Sequence, residues 1–367
     1  MEQRTWVSWE FIEQFMVEAF QTVGVPKDDA LLCADVLMES DRRGIESHGV
    51  NRFKPIYIDR ILAGIQHPVT KIDVIRETAT TAVLDANDGM GMVASHKAMS
   101  MAIEKAKQYG MGMVAVRNST HYGIAGYYAT MATKAGMIGM TGTNARPSVA
   151  PTFGVENMLG TNPLTIGLPT DEAFPFVLDC ATSITQRGKI EFYAREGKDT
   201  EAGKVVGRDG LAKTDSSQIL ADLVSGQAAL APLGGIGEDL AGYKGYGYST
   251  VVEILSAALQ AGNFLKMLSG RDKDGNLIKY HLGHFFMAID TEAFMGRETF
   301  EQIAGDILRE LRASKKAPGQ DRIFTAGEKE YDTWLERKDK GVPMNEALKQ
   351  DFRDVKETLD LDIDFPF

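Results

Sequence analysis

Gly89-Met-Gly-Met-Val-Ala94 fits the pattern G-x-G-x-x-A and lies between a predicted strand and a predicted helix. Its exact placement therefore tests whether the chain has a Rossmann fold. In a dinucleotide-binding fingerprint the first glycine directly follows the strand, so that the helix N-terminus meets a pyrophosphate. Here Ala86-Asn-Asp88 intervenes and puts an acid where phosphate would approach. The acid expected about 20 residues further on is replaced by Arg117-Asn118. We therefore interpret the stretch as a plain turn at the start of a helix and disfavour a Rossmann fold.

The elements on either side of this stretch predict a central α/β region between helical chain ends. Periodicity predicts strands at residues 80–85, 112–116, 137–141, 164–168, 176–178 and 284–289 and helices at residues 93–109, 127–135 and 247–261. It predicts further helices at residues 8–23, from Pro26 onward, at residues 53–63 and in the charged tail from Thr299. Residues 197–245 are polar and rich in glycine. We expect a helical domain of residues 1–75 with 295–367, and an α/β domain of residues 76–294.

Composition limits the class of protein. A chain of 367 residues should hold about two domains of roughly 150 residues each. Its formal net charge of -11 argues against a nucleic-acid surface. No run approaches the roughly 18 apolar residues of a membrane helix, and the N-terminus lacks a signal-peptide core. Cys33 and Cys180 form neither a CxxC pair nor a disulfide framework, so we expect a cytoplasmic protein that binds neither membrane nor nucleic acid.

Two histidines beside glycines are the candidate reactive residues. One lies in Glu46-Ser-His-Gly-Val-Asn-Arg-Phe53 and the other in Asn118-Ser-Thr-His-Tyr-Gly-Ile-Ala-Gly126, and both stretches read as loops. Histidine exchanges a proton near neutral pH, and Arg52, near a predicted helix start, carries a donor fork suited to a carboxylate. Oxidation of a 2-hydroxy acid, or reduction of a 2-oxo acid, needs a proton shuttle beside a carboxylate clamp. The alternative is that each histidine, His48 and His121, is an ordinary turn residue.

Two further motifs favour no specific site. His281 and His284 have the i, i+3 spacing of metal ligands, but glycine and strand-like neighbours make a poor helix face, and we predict no metal site. Gly242-Tyr-Lys-Gly-Tyr-Gly247 lacks the G-K-[ST] order of a phosphate loop. A lysine flanked by glycines in a tight turn could still reach a cofactor or a substrate oxyanion.

Seven short motifs in order resemble one known family. They are Ser47-His-Gly-Val-Asn-Arg52, Ser119-Thr-His-Tyr-Gly123, Gly160-Thr-Asn-Pro-Leu164, Val177-Leu-Asp-Cys-Ala-Thr-Ser183, Pro232-Leu-Gly-Gly235, Lys244-Gly-Tyr-Gly247 and Leu282-Gly-His284. Together they resemble the malate/L-lactate dehydrogenase family of the second type, which includes ureidoglycolate, sulfolactate and diketogulonate oxidoreductases. The resemblance covers most of the chain, from about residue 40 to residue 325.

The resemblance implies a homodimeric nicotinamide-dependent oxidoreductase with a mixed-sheet, non-Rossmann cofactor domain and a helical domain made from both chain ends. NAD is the expected cofactor, and NADP stays open. By the same resemblance His48 or His121 is the acid/base, while Ser47 and Arg52 hold the substrate. The residues implied to contact the cofactor are His121, Asn144, Asp179, Cys180, Ala181, Thr182, Ser183, Ile184, Thr185, Tyr243, Lys244, Gly319, Gln320 and Asp321.

The chain departs from relatives in regions that we expect to border the substrate. Residues 236–243 are inserted between the Pro-Leu-Gly-Gly and Lys-Gly-Tyr-Gly motifs, and Asn144 stands where some relatives have an aspartate. The resemblance therefore supports the class of reaction more strongly than any one substrate. A reductase of a cyclic imino acid or of a ureidoglycolate-like substrate, and a non-catalytic dinucleotide-binding protein, remain alternatives.

Overall fold

A seven-stranded mixed sheet forms the centre of the molecule, in a computed structural model that describes residues 4–367. The strands are β1 (Thr5–Val7), β2 (Asp73–Glu77), β3 (Thr81–Asp85), β4 (Met111–Ser119), β5 (Met137–Thr143), β6 (Leu164–Leu168), β7 (Phe176–Cys180), β8 (Val205–Gly207), β9 (Ala228–Leu230), β10 (Leu282–Asp290) and β11 (Val342–Met344). The central sheet has the order β2-β3-β4-β10-β5-β6-β7, in which only β3 and β4 run parallel. The predicted α/β class with a mixed sheet is confirmed.

Eleven α-helices accompany these strands within residues 4–367. They are α1 (Trp9–Thr22), α2 (Lys27–Arg42), α3 (Asp59–Leu62), α4 (Gly91–Tyr109), α5 (Ala125–Lys134), α6 (Arg187–Arg195), α7 (Ser216–Ser225), α8 (Gly242–Leu255), α9 (Arg297–Ala313), α10 (Glu328–Arg337) and α11 (Glu346–Leu359). Helix α4 connects the parallel strands β3 and β4, and α4 and α5 bury rows of alanine and methionine against the sheet. No helix in this range is long and apolar enough to cross a membrane.

The two chain ends share a single hydrophobic core. Strand β1 pairs antiparallel with β11, and one buried cluster contains residues from α1, α2 and α11. Its centre is aromatic: Phe15 stacks on Phe352 at 4.7 Å between ring centroids, and Phe20 meets Phe53 edge-on at 5.0 Å. The domain boundary expected at residue 75 falls inside β2, and residues 1–3 lie outside the described range.

The Gly89–Ala94 stretch packs a helix against a loop. Helix α4 begins at Gly91, where a Cβ atom would lie 2.3 Å from the carbonyl oxygen of Thr120 and 2.6 Å from that of His121. The Thr120 hydroxyl bonds both sides of this turn, accepting from the Gly91 N–H at 2.9 Å and donating to the Gly89 carbonyl at 2.8 Å. Glycine is thus required because the helix start touches the backbone that carries His121.

Several local predictions were wrong. The segment around His48 forms two consecutive 3₁₀ turns, 46–48 and 50–52, rather than an open loop. The helix predicted over residues 53–63 begins as a π-helix, Phe53–Ile58, with the Asp59 N–H bonded to the Lys54 carbonyl in the i→i+5 pattern. The glycine-rich region 197–245 contains α7 and the two-stranded β8–β9 sheet, with a small core of its own. The β1, β2, β11 and α6 elements were not predicted.

A candidate active site at one end of the sheet

One cavity lies across the end of the sheet where β4, β5 and β7 finish and β6 and β10 begin. Antiparallel pairing brings these strand ends together, with Leu282 opposite Ser119, His284 opposite Thr143 and Leu164 opposite Cys180. The cavity has a volume of about 660 Å³, a size typical of small-molecule sites. Its lining includes Ser47, His48, His121, Asn144, Asp179, Cys180, Ala181, Ser183, Ile184, Thr185, Lys189, Leu282 and Glu330. The structure therefore brings together most of the residues singled out from the sequence.

His48 lies in the first 3₁₀ turn, at the cavity wall. Its Nδ1 lies 2.9 Å from the Ser47 hydroxyl, and its ring stacks on that of His121 with centroids 5.8 Å apart and planes 16° apart. Burial, and next to it the charge of Arg52, lower the pKa of His48 to about 4. Near neutral pH the imidazole is therefore uncharged and able to accept a proton.

Arg52 is a half-buried cation without an acidic partner. Its Nε donates to the Ser47 carbonyl at 2.6 Å, which fixes the guanidinium beside the His48 turn. No ion pair within residues 4–367 includes Arg52. Glu191, the acid whose charge raises the pKa of Arg52, is itself paired with Arg187 at 2.8 Å. Burial lowers the pKa of Arg52 from its ordinary value. The two terminal nitrogens of the fork remain free for an anionic ligand.

His121 is oriented by Tyr57, a residue that the sequence did not single out. The Tyr57 hydroxyl lies 2.7 Å from Nδ1 of His121, and the Gly123 N–H donates to the same nitrogen at 3.3 Å. Because a backbone N–H can only donate, Nδ1 must be unprotonated, so that Nε2 carries the ring proton in the neutral imidazole. Burial, followed by the nearby His48, Arg60 and Arg52, lowers the pKa of His121 well below its ordinary value.

The His48 turn is held from behind by a buried carboxylate. Asp41 in α2 accepts a hydrogen bond from the Val50 N–H at 2.7 Å. A Cβ atom on Gly49 would lie 1.9 Å from this carboxylate, so the turn can pass only as glycine. Burial raises the pKa of Asp41 to about 7, against the lowering effect of the Val50 hydrogen bond.

Asp179 is an acid that lines the cavity. Its oxygens accept from the Gly126 N–H at 2.7 Å, at the start of α5, and from the Thr165 hydroxyl at 2.9 Å. Burial raises its pKa, while these two hydrogen bonds act in the opposite direction. A carboxylate offers about four lone-pair sites, so acceptor capacity remains for a ligand.

The rest of the wall beside Asp179 is built from backbone and short side chains. The Thr182 N–H bonds the Thr161 carbonyl at 3.0 Å, and the Ser183 hydroxyl bonds the Thr185 carbonyl at 2.8 Å. Thr182 itself is buried and is not among the residues that line the cavity. Asn144 lines it but is fully buried, with its amide bonded to the Gly283 N–H at 2.8 Å and the Asn263 carbonyl at 3.0 Å.

Besides Thr182, five of the candidate cofactor residues lie outside this cavity. Tyr243 and Lys244 are exposed in the first turn of α8, where Lys244 Nζ lies 5.9 Å from the centre of the Tyr243 ring. Gly319, Gln320 and Asp321 are exposed in the loop after α9. None of the five is among the cavity-lining residues.

Sequence reasoning missed Tyr57, Lys189 and Glu330. Lys189 and Glu330 reach the cavity from α6 and α10, which lie far apart along the chain and carry no motif. Tyr57 had one available signal, its position five residues after Arg52 in the same helical segment.

The two histidines with metal-like spacing have separate partners. His281 Nδ1 lies 2.7 Å from an oxygen of Asp88, whereas His284, fully buried in β10, bonds Thr143 and Ser119 through its two ring nitrogens. The described residues contain no group of three or more acidic, histidine or cysteine side chains able to hold a metal ion.

The chain belongs to the malate/L-lactate dehydrogenase family, whose model matches residues 7–353. The relatives described below are named as dehydrogenases of hydroxy acids, and this chain is an oxidoreductase that acts on a CH–OH group. The resemblance inferred from the seven motifs is confirmed.

Three relatives illustrate the similarity. The malate dehydrogenase of Pyrococcus horikoshii is 42% identical over 341 residues, covering 93% of this chain and 92% of the relative. The L-sulfolactate dehydrogenase of Methanocaldococcus jannaschii is 36% identical over 352 residues, covering 96% of each chain. The crystal structure of malate dehydrogenase from Entamoeba histolytica superposes with a TM-score of 0.94 at 45% identity and covers 100% of both chains.

Proposed function

We propose that this enzyme interconverts a malate- or lactate-like 2-hydroxy acid and its 2-oxo acid with a nicotinamide dinucleotide, and that His48 exchanges the hydroxyl proton. The observation that carries the proposal is a neutral His48 and a second, stacked histidine at one cavity, with Arg52, which has no carboxylate partner, hydrogen-bonded to the backbone of the cavity-lining Ser47. Malate and sulfolactate, the substrates in the names of the relatives, are both 2-hydroxy acids.

Arg52 binds the substrate carboxylate. A half-buried guanidinium without a counter-ion is costly, and a planar carboxylate supplies two acceptors that match its free terminal nitrogens. Because Nε is already held by the Ser47 carbonyl, the fork has one orientation, and the carboxylate is fixed beside the His48 turn. This pairing orients C2 of the substrate.

His48 accepts the proton of the C2 hydroxyl during oxidation and returns it to the C2 oxygen during reduction. The low pKa of the unliganded site keeps the imidazole neutral and ready to accept. A bound carboxylate offsets the charge of Arg52 and so raises the proton affinity of His48 when the proton must be taken up. His121 donates from Nε2 to the same C2 oxygen, and Ser47 holds the position of the His48 ring.

The Asp179–Thr185 wall fits a nicotinamide dinucleotide. Asp179 retains lone pairs for a ribose hydroxyl or a carboxamide N–H, and the neighbouring Cys180, Ala181 and Ser183 are small. When bound, the nicotinamide ring supplies the acceptor or donor of the hydride at C2. We propose NAD rather than NADP, in line with the name of a relative, the ureidoglycolate dehydrogenase (NAD(+)) of Escherichia coli, which is 28% identical over 322 residues.

The exposed apolar side of α8 is covered by a second copy of the chain. This helix buries Gly245, Ser249 and Val252, yet its opposite side exposes Tyr248, Val251 and Ile254. An apolar cavity of about 490 Å³ adjoins it. A helix that is apolar on both sides is normally covered, so we propose a homodimer through this face.

The proposal is tested with an activity panel and two histidine variants. With reduced cofactor, the enzyme should turn over the 2-oxo acids pyruvate and oxaloacetate. A cyclic imine represents the competing substrate class and is assayed beside them. His48→Ala should lose about 100-fold or more in kcat with an unchanged melting temperature. The matched control His96→Ala, at a half-buried histidine of α4 away from the cavity, should leave turnover unchanged. Near-normal kcat for His48→Ala would exclude it as the acid/base.

A further inference from the structure

The two turns that carry His48 and Arg52 meet at Gly49 and Val50. The second turn is closed by the Arg52 N–H, which bonds the Gly49 carbonyl at 2.9 Å. Val50 is the first residue of this turn, and the first N–H groups of a helical segment have no acceptor within it. The Asp41 carboxylate, nine residues earlier in the chain, supplies that acceptor at 2.7 Å. The position of the second turn relative to the first therefore depends on a side chain of α2.

Helix α10 holds the beginning of the first turn separately. Asp41 is the penultimate residue of α2, and its backbone carbonyl accepts a hydrogen bond from Nη1 of Arg337 at 2.8 Å. Nη2 of the same guanidinium pairs with Glu46, the first residue of the His48 turn, at 2.7 Å. These contacts use the backbone of Asp41 and not its side chain, so they survive a change of that side chain. Only the junction between the two turns rests on the carboxylate.

The junction is packed tightly against this carboxylate. A Cβ atom on Gly49 would lie 1.9 Å from the oxygen that accepts from Val50 and 2.5 Å from the carboxylate carbon. Asp41 is 3% exposed, and Gly49 and Val50 are buried, so bulk water does not reach the contact. A buried N–H that loses its acceptor is costly. Without the carboxylate, the backbone at Val50 is therefore expected to shift.

We propose that Asp41 is a positioning residue for the reaction: its carboxylate fixes the second turn against the first and so fixes where Arg52 lies relative to His48. This inference rests on the proposed function, in which Arg52 binds the substrate carboxylate and His48 exchanges the proton. Within residues 4–367 the Arg52 side chain is held by one hydrogen bond, from Nε to the Ser47 carbonyl at 2.6 Å. A movement of the second turn therefore moves the guanidinium, and a misplacement of about 1 Å can cost about 100-fold in rate. Asp41 is not among the residues that line the cavity.

The first test compares two variants of Asp41. Asp41→Ala removes the acceptor and should lower kcat/KM for oxaloacetate and pyruvate by about 10-fold or more, while the cofactor Kd changes less than about twofold. Asp41→Asn keeps an oxygen that can accept from the Val50 N–H, and it should recover most of the activity. The matched control Glu39→Ala removes a half-buried carboxylate of the same helix that pairs with Arg43 at 2.7 Å, and it should leave kcat/KM unchanged.

The second test disturbs the same contact from the side of Gly49. Gly49→Ala forces a Cβ atom against the carboxylate, whereas Asp41→Ala opens that space. Gly49→Ala should therefore lower kcat/KM by about 10-fold or more in the native chain and by less than about threefold in the Asp41→Ala chain. If Asp41→Ala is too unstable to assay, Gly49→Ala is compared with the native enzyme alone, and an unchanged kcat/KM would overturn the inference.

The histidine ring signals in NMR spectra give a readout without turnover. The His48 signals are assigned with His48→Ala. Asp41→Ala should shift the ring signals of His48 and leave those of His96, in α4, in place. Asp41→Asn should keep the native positions of both. Melting curves of all variants verify that they fold.

Four results would overturn the inference. Native kcat/KM in Asp41→Ala would show that the carboxylate is not needed, and an equal loss in Asp41→Asn would assign the effect to the charge rather than to the accepted hydrogen bond. A parallel rise in the cofactor Kd would indicate a general change of the fold, and additive losses in the double variant would mean that Asp41 and Gly49 act separately. Failure of the proposed function is a different result: His48→Ala keeps near-normal kcat, while the His48 ring signals of the native chain still respond to Asp41→Ala. That result would support the hold of Asp41 on the turn alone.

Discussion

Replacing Arg52 by lysine should damage substrate binding in the transition state and leave cofactor binding intact. Arginine has five N–H donors, of which Nε–H is used by the Ser47 carbonyl at 2.6 Å, so four remain on the terminal nitrogens. Lysine keeps the charge but loses the bond to Ser47 and the planar fork. Truncating one partner of a buried charged pair costs about 2–5 kcal/mol. Because the charge survives here, we expect the lower end, about 2–3 kcal/mol, or roughly 30- to 150-fold in kcat/KM.

The assay pairs steady-state kinetics with cofactor titration. We expect kcat/KM for oxaloacetate and pyruvate to fall in Arg52→Lys while the cofactor Kd, measured by fluorescence quenching, stays within about twofold. The variant should fold normally, because Arg52 has no ion pair to lose within residues 4–367. Equal losses in kcat/KM and in cofactor affinity would refute the substrate clamp and assign Arg52 to the cofactor.

A neutral variant at the same position tests the electrostatic part of the reasoning. The charge of Arg52 helps to lower the pKa of His48 to about 4, after burial as the larger cause. In Arg52→Gln this contribution disappears, so the pKa of His48 rises and the acidic limb of kcat/KM for oxidation moves to higher pH. Arg52→Lys should leave the limb in place. A limb that does not move in Arg52→Gln would mean that another group controls it.

Three other measurements address the remaining features. Tyr57→Phe removes the hydroxyl 2.7 Å from Nδ1 of His121 and should lower kcat about 3- to 10-fold with little change in stability. The control is Tyr127→Phe, because the Tyr127 hydroxyl bonds Asp35 instead. Equal effects of the two variants on kcat would count against a role for His121. The folded-state pKa of Asp41, about 7, lies above its unfolded value of 3.8, so the native state binds an extra proton between these values and loses stability as pH rises through that window. Asp41→Asn should flatten this dependence in urea unfolding followed from pH 5 to 8, and an unchanged slope would show that Asp41 does not titrate there. Static light scattering at micromolar concentration should give about 80 kDa, twice the 40.2 kDa of one chain, and a 40 kDa species would exclude the dimer.

Features of the fold that depend on residues close together along the chain could be predicted from the sequence. The incomplete Gly89–Ala94 fingerprint argued against a Rossmann fold, because that fingerprint depends on glycine and acid spacing within one strand-turn-helix unit. Alternation and helical periodicity predicted the strands 164–168 and 176–178 and the first helices to within a few residues. The Ser47–Arg52 motif also put His48 and Arg52 close together, and the structure has them in two adjacent turns; their roles as acid/base and substrate clamp stay a prediction.

Only the tertiary structure decided which residues complete the site. Tyr57 meets His121 across 64 positions, and Asp179, in β7, meets the start of α5 across 53 positions, so local spacing along the chain encodes neither contact. The π-helix at 53–58 could not be read from apolar spacing, since the choice between i→i+4 and i→i+5 hydrogen bonds depends on how Phe53 and Tyr57 pack into the helical core. Tyr243, Lys244 and the 319–321 loop carry family motifs but lie outside the cavity, because a motif specifies residue types and not the distance between them.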